Sequence, residues 1–174
     1  MSRLLTWAFV ASCVLYALVV VWAAFVLPAE GVPSHWSSFG RSVPDAWSTR
    51  AETVGFLALI GGALAAVYTV ILVLVRRSRT MGLINVPNQA YWMREENLPQ
   101  ARRMMYDDMA LFAAVFMVWF TSLPVSIVQA AHDPQGRLPL WFTFGFVAWL
   151  VFTAGWMVRL YRRFRLPPDA GPLR

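Results

Sequence analysis

His35 and His132 are the only histidines in the chain, and both have carboxylates near them in sequence: Glu30, Asp45 and Glu52 around the first, Asp133 beside the second. Two imidazoles and a carboxylate can hold zinc and leave a fourth position open. The spacing matches no metal motif, because the chain has neither a His-x-x-x-His nor a Glu-x-x-His pair. The reading adopted is structural: a turn at Gly40 brings Asp45 back to His35, and the carboxylate orients the imidazole. Ser34, Ser37 and Ser38 flank His35, but no Gly-x-Ser-x-Gly elbow exists to raise a serine as nucleophile. Serines between prolines and glycines serve turns. There is no phosphate-cradling glycine loop and no dinucleotide fingerprint. The single cysteine, Cys13, excludes an intramolecular disulfide framework and any cysteine-cluster metal site. No catalytic, cofactor-binding or metal-binding residue is therefore assigned, and no cofactor is expected. A membrane enzyme or metal-handling protein using His35 is the rival reading. A small transporter or membrane-complex subunit is a third.

These residues must be positioned by unusually apolar elements. Hydrophobic residues make up 59% of the 174 positions and charged residues 14%, with a mean hydropathy of +0.54. Soluble domains average about 45–50% and about 25%. Residues 4–27, 54–75, 109–131 and 138–158 carry no charge. Each run exceeds the ~20 residues that a helix needs to cross the hydrocarbon core. Lipid offers no partner to a loose backbone N–H or C=O, so each run is expected to be a helix. The first is too long for the apolar core of a cleaved signal peptide and is read as a retained span. The expected fold is thus an all-α membrane protein, residues 1–174 forming one polytopic domain of four transmembrane helices. With no charge inside any span, an ion-coupled transporter is disfavoured.

All 15 basic residues are arginines. Their formal excess is +6 and the pI about 10.4. Arg3, Arg76, Arg77, Arg79, Arg94, Arg102, Arg103, Arg159, Arg162, Arg163, Arg165 and Arg174 would lie on one side of such a fold. Only Arg41, Arg50 and Arg137 would lie on the other. Arginine accumulates on the cytoplasmic side, so both termini and the loop 76–108 are expected there, with loops 28–53 and 132–137 outside. The arginines sit at membrane edges without a base-stacking platform, and no nucleic-acid partner is expected. Trp7, Trp92 and Trp156 fall at the inner boundary, and Trp22, Trp36, Trp47 and Trp141 at the outer, the depth that amphipathic indoles prefer. Trp119 and Trp149 lie deeper and are expected to pack between helices.

Local signals refine the spans. Ala58, Gly62 and Ala66, with Gly61, Ala65 and Thr69 alongside, would let another helix approach closely. Packing within the bundle is preferred to a dimer seam. Pro124 cannot donate to the carbonyl of Phe120, so a kink is expected, with Thr121 and Ser122 helping to satisfy freed groups. Asn97 is placed to cap a helix with Pro99 in its first turn, running into the third span. Arg103 and Asp107, four apart, could pair on it at ~0.3–0.5 kcal/mol if exposed. This loop is read as a membrane-edge helix with ordinary charged flanks, the alternative being a docking surface for a partner or anionic lipid.

The first outer loop combines Pro28, Gly31, Pro33, Gly40 and Pro44 with Trp36, Phe39 and Trp47. Aromatics are costly to leave in water, so a folded cap is expected. Pro33-x-His35-Trp36, followed by Gly40, Asp45 and Trp47 and leading into a span, resembles a family of bacterial membrane proteins of unknown function. Its domain also opens the Sdp-type toxin-immunity protein. Asn85-Val-Pro87-Asn88, followed by Tyr91-Trp92, resembles that family's segment after the second span. The likeness covers roughly residues 10 to 120, a two-helix unit with its following loop and span. Gly40 and Asp45 stand farther apart than in the family pattern, and the basic residue near Gln89 is missing. The resemblance implies a bacterial inner-membrane protein whose partners are the bilayer and an envelope or membrane protein. It implies immunity, envelope signalling or support of a complex. His35, Trp36, Gly40, Asp45 and Trp47 are then the candidate outer surface, and Asn85, Pro87, Asn88, Tyr91 and Trp92 the candidate inner one.

Overall fold

The computed structural model describes residues 2–37, 43–77 and 86–167. Gly40 and Asn85, like Phe39, lie outside them. In chain order the elements are α1 (Ser2–Val26), β1 (Val32–His35), β2 (Ala46–Ser48), α2 (Arg50–Arg77), α3 (Gln89–Trp92), α4 (Leu98–Phe120), α5 (Ser122–His132) and α6 (Leu140–Arg163). Four helical stretches are long and apolar enough to cross a membrane: Arg3–Val26, Arg50–Arg77, Leu98–His132 and Leu140–Arg163. The chain thus has the build of a multi-pass membrane protein. Its burial agrees, since large apolar side chains such as Leu4, Leu59, Phe144 and Val151 face outward along the helices. In water such faces would be aggregation sites.

The third stretch is longer than its uncharged run because α4 begins at Leu98, eleven residues before Met109. Pro99 sits in the first turn as expected. Asn97 occupies the N-cap position without capping, since its backbone is already helical. Its amide donates instead to the carbonyl of Tyr91 at 3.0 Å. The helix then breaks at Thr121, one residue after the carbonyl that Pro124 cannot serve. The Thr121 hydroxyl donates to Met117 O at 2.8 Å and that of Ser126 to Ser122 O at 2.7 Å. Such bonds back to the preceding turn keep hydroxyls satisfied in an apolar medium.

α1, α2 and the α4–α5 rod form the core. Ala110, Ala113 and Ala114 on α4 let α1 approach, and Phe9, Tyr16, Val20 and Ala23 fill the contact with Met117 and Phe120. Tyr16 stacks on Phe120 at 5.4 Å between centroids and donates its hydroxyl to Leu57 O on α2 at 2.7 Å. Its ring lies against Gly61, where any Cβ would collide with it. The small-residue stripe is therefore only partly used within the fold. Gly61 is buried, whereas Ala58, Gly62 and Ala66 are exposed, with nothing within 4 Å of a Cβ at Gly62.

α6 buries no residue along its length. An aromatic ladder holds it to α4: Phe112 lies 4.5 Å from Trp156 between centroids, Phe116 lies 5.3 Å from Trp149, and Trp119 stacks on Trp149 at 5.4 Å. Packing between helices is what the depth of Trp119 and Trp149 implied. Each such pair adds about 0.5–1.5 kcal/mol beyond its buried area.

Candidate functional site: an outer hairpin cap and an inner latch

The loop between α1 and α2 folds into an antiparallel hairpin. Val32 pairs with Ser48 and Pro33 with Trp47, and an irregularity after Pro33 sets His35 opposite Ala46. That irregularity carries His35 to Asp45. The imidazole Nδ1 and the carboxylate Oδ1 are 2.6 Å apart, and Asp45 N donates to His35 O at 3.0 Å. Both side chains are exposed. The hydrogen bond from His35, helped by one from Ser37, holds the Asp45 carboxyl below the usual carboxylate range. A lowered folded-state value means the brace is present where Asp45 is ionised and is lost as pH falls through that lowered value. We expect the His35 ring resonances in histidine-labelled protein to report this loss in acid, below the ordinary carboxylate range. In Asp45→Asn that acid transition should vanish; an unchanged transition would mean that the pair does not brace the hairpin.

The hairpin is tied to the second outer loop. Trp36 tucks against the core and donates Nε1–H to Gly136 O at 3.1 Å. Gly136 has φ +65°, and a Cβ there would stand 2.7 Å from Pro44 Cγ and 2.9 Å from Trp47 Cη2. Only glycine suits both the backbone and the space. Asp133 shapes this second loop, its carboxylate accepting from the N–H groups of Gln135 and Arg137. The two loops thus form one cap, on which Trp47 remains 55% exposed. His132 is turned to its own helix, Nδ1 lying 2.8 Å from Val128 O. Among the described residues no three His, Cys, Asp or Glu side chains are grouped to hold a metal.

At the other end, Pro87 and Asn88 form a turn before α3, with Asn88 at φ 57°, a conformation that asparagine tolerates. Asn88 Nδ2 and Trp92 Nε1 both donate to Phe164 O, at 3.0 and 2.9 Å. This carbonyl, just past the last turn of α6, is one that a helix end leaves without an internal partner. The Phe164 ring is fully buried among Val75, Val86, Ala101 and Met105, and meets Trp92 edge-on at 5.6 Å. Tyr91 packs edge-on to Trp92 at 5.0 Å. Asn88, Tyr91 and Trp92 are therefore brought together as a latch on the end of α6.

The sequence did not single out Asp108. It is fully buried and joined to Arg163 at 2.9 Å and Arg159 at 3.4 Å, and its backbone carbonyl accepts from Trp156 Nε1 at 3.2 Å. The pair considered within α4, Arg103 with Asp107, is not among the ion pairs of the described residues: Asp107 is buried and Arg103 exposed. Only the partner helix distinguishes Asp108 from its neighbour, and no spacing rule signals a pairing 55 residues away. Compared with protein-family models, curated proteins and solved structures, the chain matches none.

Proposed function

We propose that the chain is a non-enzymatic inner-membrane protein of bacteria whose outer cap is an interaction surface, in an immunity-like or envelope-signalling role. The observation that carries this reading is Trp47, held exposed on a hairpin braced by the Trp36–Gly136 bond and the His35–Asp45 pair. A linker between two spans needs neither the braces nor an exposed indole, whereas exposed aromatics on rigid supports are the residues that anchor partners. Arg3, Arg76, Arg102 and Arg103 gather at the end opposite the hairpin, which supports a cytoplasmic placement of that end and of both termini.

The test combines topology with phenotype. In a Cys13→Ser background, Gln135→Cys should react with an impermeant thiol reagent on intact cells and Gln100→Cys should not. In a deletion strain, Trp47→Ala should express normally yet fail to complement, while Arg94→Ala complements. Labelling of Gln100→Cys from outside would overturn the orientation. Full complementation by Trp47→Ala with failure of Arg94→Ala would move the working surface to the other end.

A further inference from the structure

Arg3 at the start of α1, Arg76 at the end of α2, and Arg102 and Arg103 on the first turns of α4 line one pocket of about 340 Å³. Thr6 and Tyr106 complete its wall, their hydroxyl oxygens 2.8 Å apart. Among the described residues no carboxylate lines it. Of the two buried acids on α4, Asp108 is engaged by Arg159 and Arg163 of α6, and Asp107 belongs to no ion pair among the described residues, although its Oδ1 is buried without a hydrogen-bond partner. None of the four arginines belongs to an ion pair of the described residues, and the Nε of Arg102 is shut off from solvent without an acceptor. Four guanidiniums drawn together by three different helices repel one another. A bound anion would reverse that cost, and the planar fork of arginine matches phosphate oxygens in pairs.

The pocket's depth narrows the anion. Arg3 opens one candidate span and Arg76 nearly closes another, so the guanidiniums stand where apolar helix gives way to polar flank. Trp7, one turn beyond Arg3 on the same helix face, is 70% exposed, and Leu4 beside it is 73% exposed. A phosphate seated on the arginines would therefore continue onto an outward-facing apolar surface suited to acyl chains. We propose that this pocket binds the phosphate headgroup of an anionic phospholipid and so fastens α1, α2 and α4 together at the arginine-rich end. A phosphate-bearing solute shares the headgroup chemistry but has no use for the apolar approach. The proposal is independent of the role assigned to the outer cap.

The test uses the full chain in mixed micelles of phosphatidylcholine doped with phosphatidylglycerol, with bound lipid counted by native mass spectrometry. The wild type should retain phosphatidylglycerol in preference to phosphatidylcholine. Arg102→Gln/Arg103→Gln should weaken that retention about thirtyfold, the loss expected for two guanidiniums near an anionic headgroup. Arg162→Gln/Arg165→Gln removes the same charge from exposed positions at the same end, outside the pocket, and should change it less than about threefold. Arg3→Gln/Arg103→Gln, both exposed, supplies the same comparison without touching the enclosed Arg102. Equal losses in the pocket and control pairs would show surface charge alone and overturn the site. So would no preference between the two lipids. Displacement of the lipid by equimolar inorganic phosphate would assign the pocket to a soluble anion and overturn the lipid.

Discussion

Phe164→Ala should be among the most damaging single substitutions in this protein, although Phe164 lies beyond the last turn of the most peripheral helix. Along its length α6 buries nothing, while Phe164 is completely enclosed. Truncating a buried phenylalanine costs about 3–5 kcal/mol. At this size that corresponds to a fall of roughly 10 °C in the unfolding midpoint. The end of α6 should then come away, freeing the backbone at Arg162, Arg163 and Arg165 for faster cleavage by trypsin. Trp92→Phe is the graded comparison. It removes one of two donors to the Phe164 carbonyl and leaves Asn88 Nδ2 in place, so about 1 kcal/mol is expected. Thermal unfolding in detergent with limited trypsin digestion measures both. A Phe164→Ala variant that melts and digests like the wild type would mean that the aromatic ladder alone holds α6.

Gly61→Ala and Gly62→Ala, adjacent and chemically identical changes, should differ sharply. At Gly61 the new methyl would stand 2.5 Å from Tyr16 Cζ and also overlap the adjoining ring carbons. The ring cannot simply swing aside, because it is stacked on Phe120 and its hydroxyl is bonded to Leu57 O. Overpacking of this kind costs about 1–3 kcal/mol, and loss of the hydroxyl bond adds about 1 kcal/mol. At Gly62 the methyl meets nothing within 4 Å, and alanine is the better helix former. Gly62→Ala should be neutral or slightly stabilising. Both are read by the midpoint of thermal unfolding in one detergent. If Gly61→Ala unfolds no earlier than Gly62→Ala, the close approach of α1 to α2 through Tyr16 is not the contact described.

The two results concern different layers of the same device. Tyr16 and Gly61 join α1 to α2 at mid-helix, and the α4 alanines admit α1 beside them. Trp92, Asn88 and Phe164 fasten α6 at the arginine-rich end, and Trp36 with Gly136 closes the hairpin end. The cap is thus carried on a bundle clamped at both ends and in the middle. That is the support an exposed Trp47 needs to present one surface instead of many.

Several features were determined by sequence alone, and each has a local cause. Four uncharged runs longer than the hydrocarbon core had to be helices, because lipid leaves the backbone no other partner. Pro124 had to interrupt the third, lacking the N–H that Phe120 needs. A loop of prolines, glycines and aromatics had to fold on itself, and the acid and imidazole ten residues apart in it do meet. What sequence could not determine was which way the helices face. In water an amphipathic pattern points each helix inward, but lipid tails are as apolar as a leucine core. The outward and inward faces of α1, α2 and α6 therefore read alike. Only the packed structure separates Gly61, pressed on Tyr16, from Gly62, which touches nothing. Only it sets α6 outside the core, buries Phe164 beyond the end of its helix, and pairs Asp108 with α6 instead of Asp107 with Arg103. Those choices rest on shape and on partners far along the chain, and steric fit between distant side chains leaves no periodic mark in the sequence.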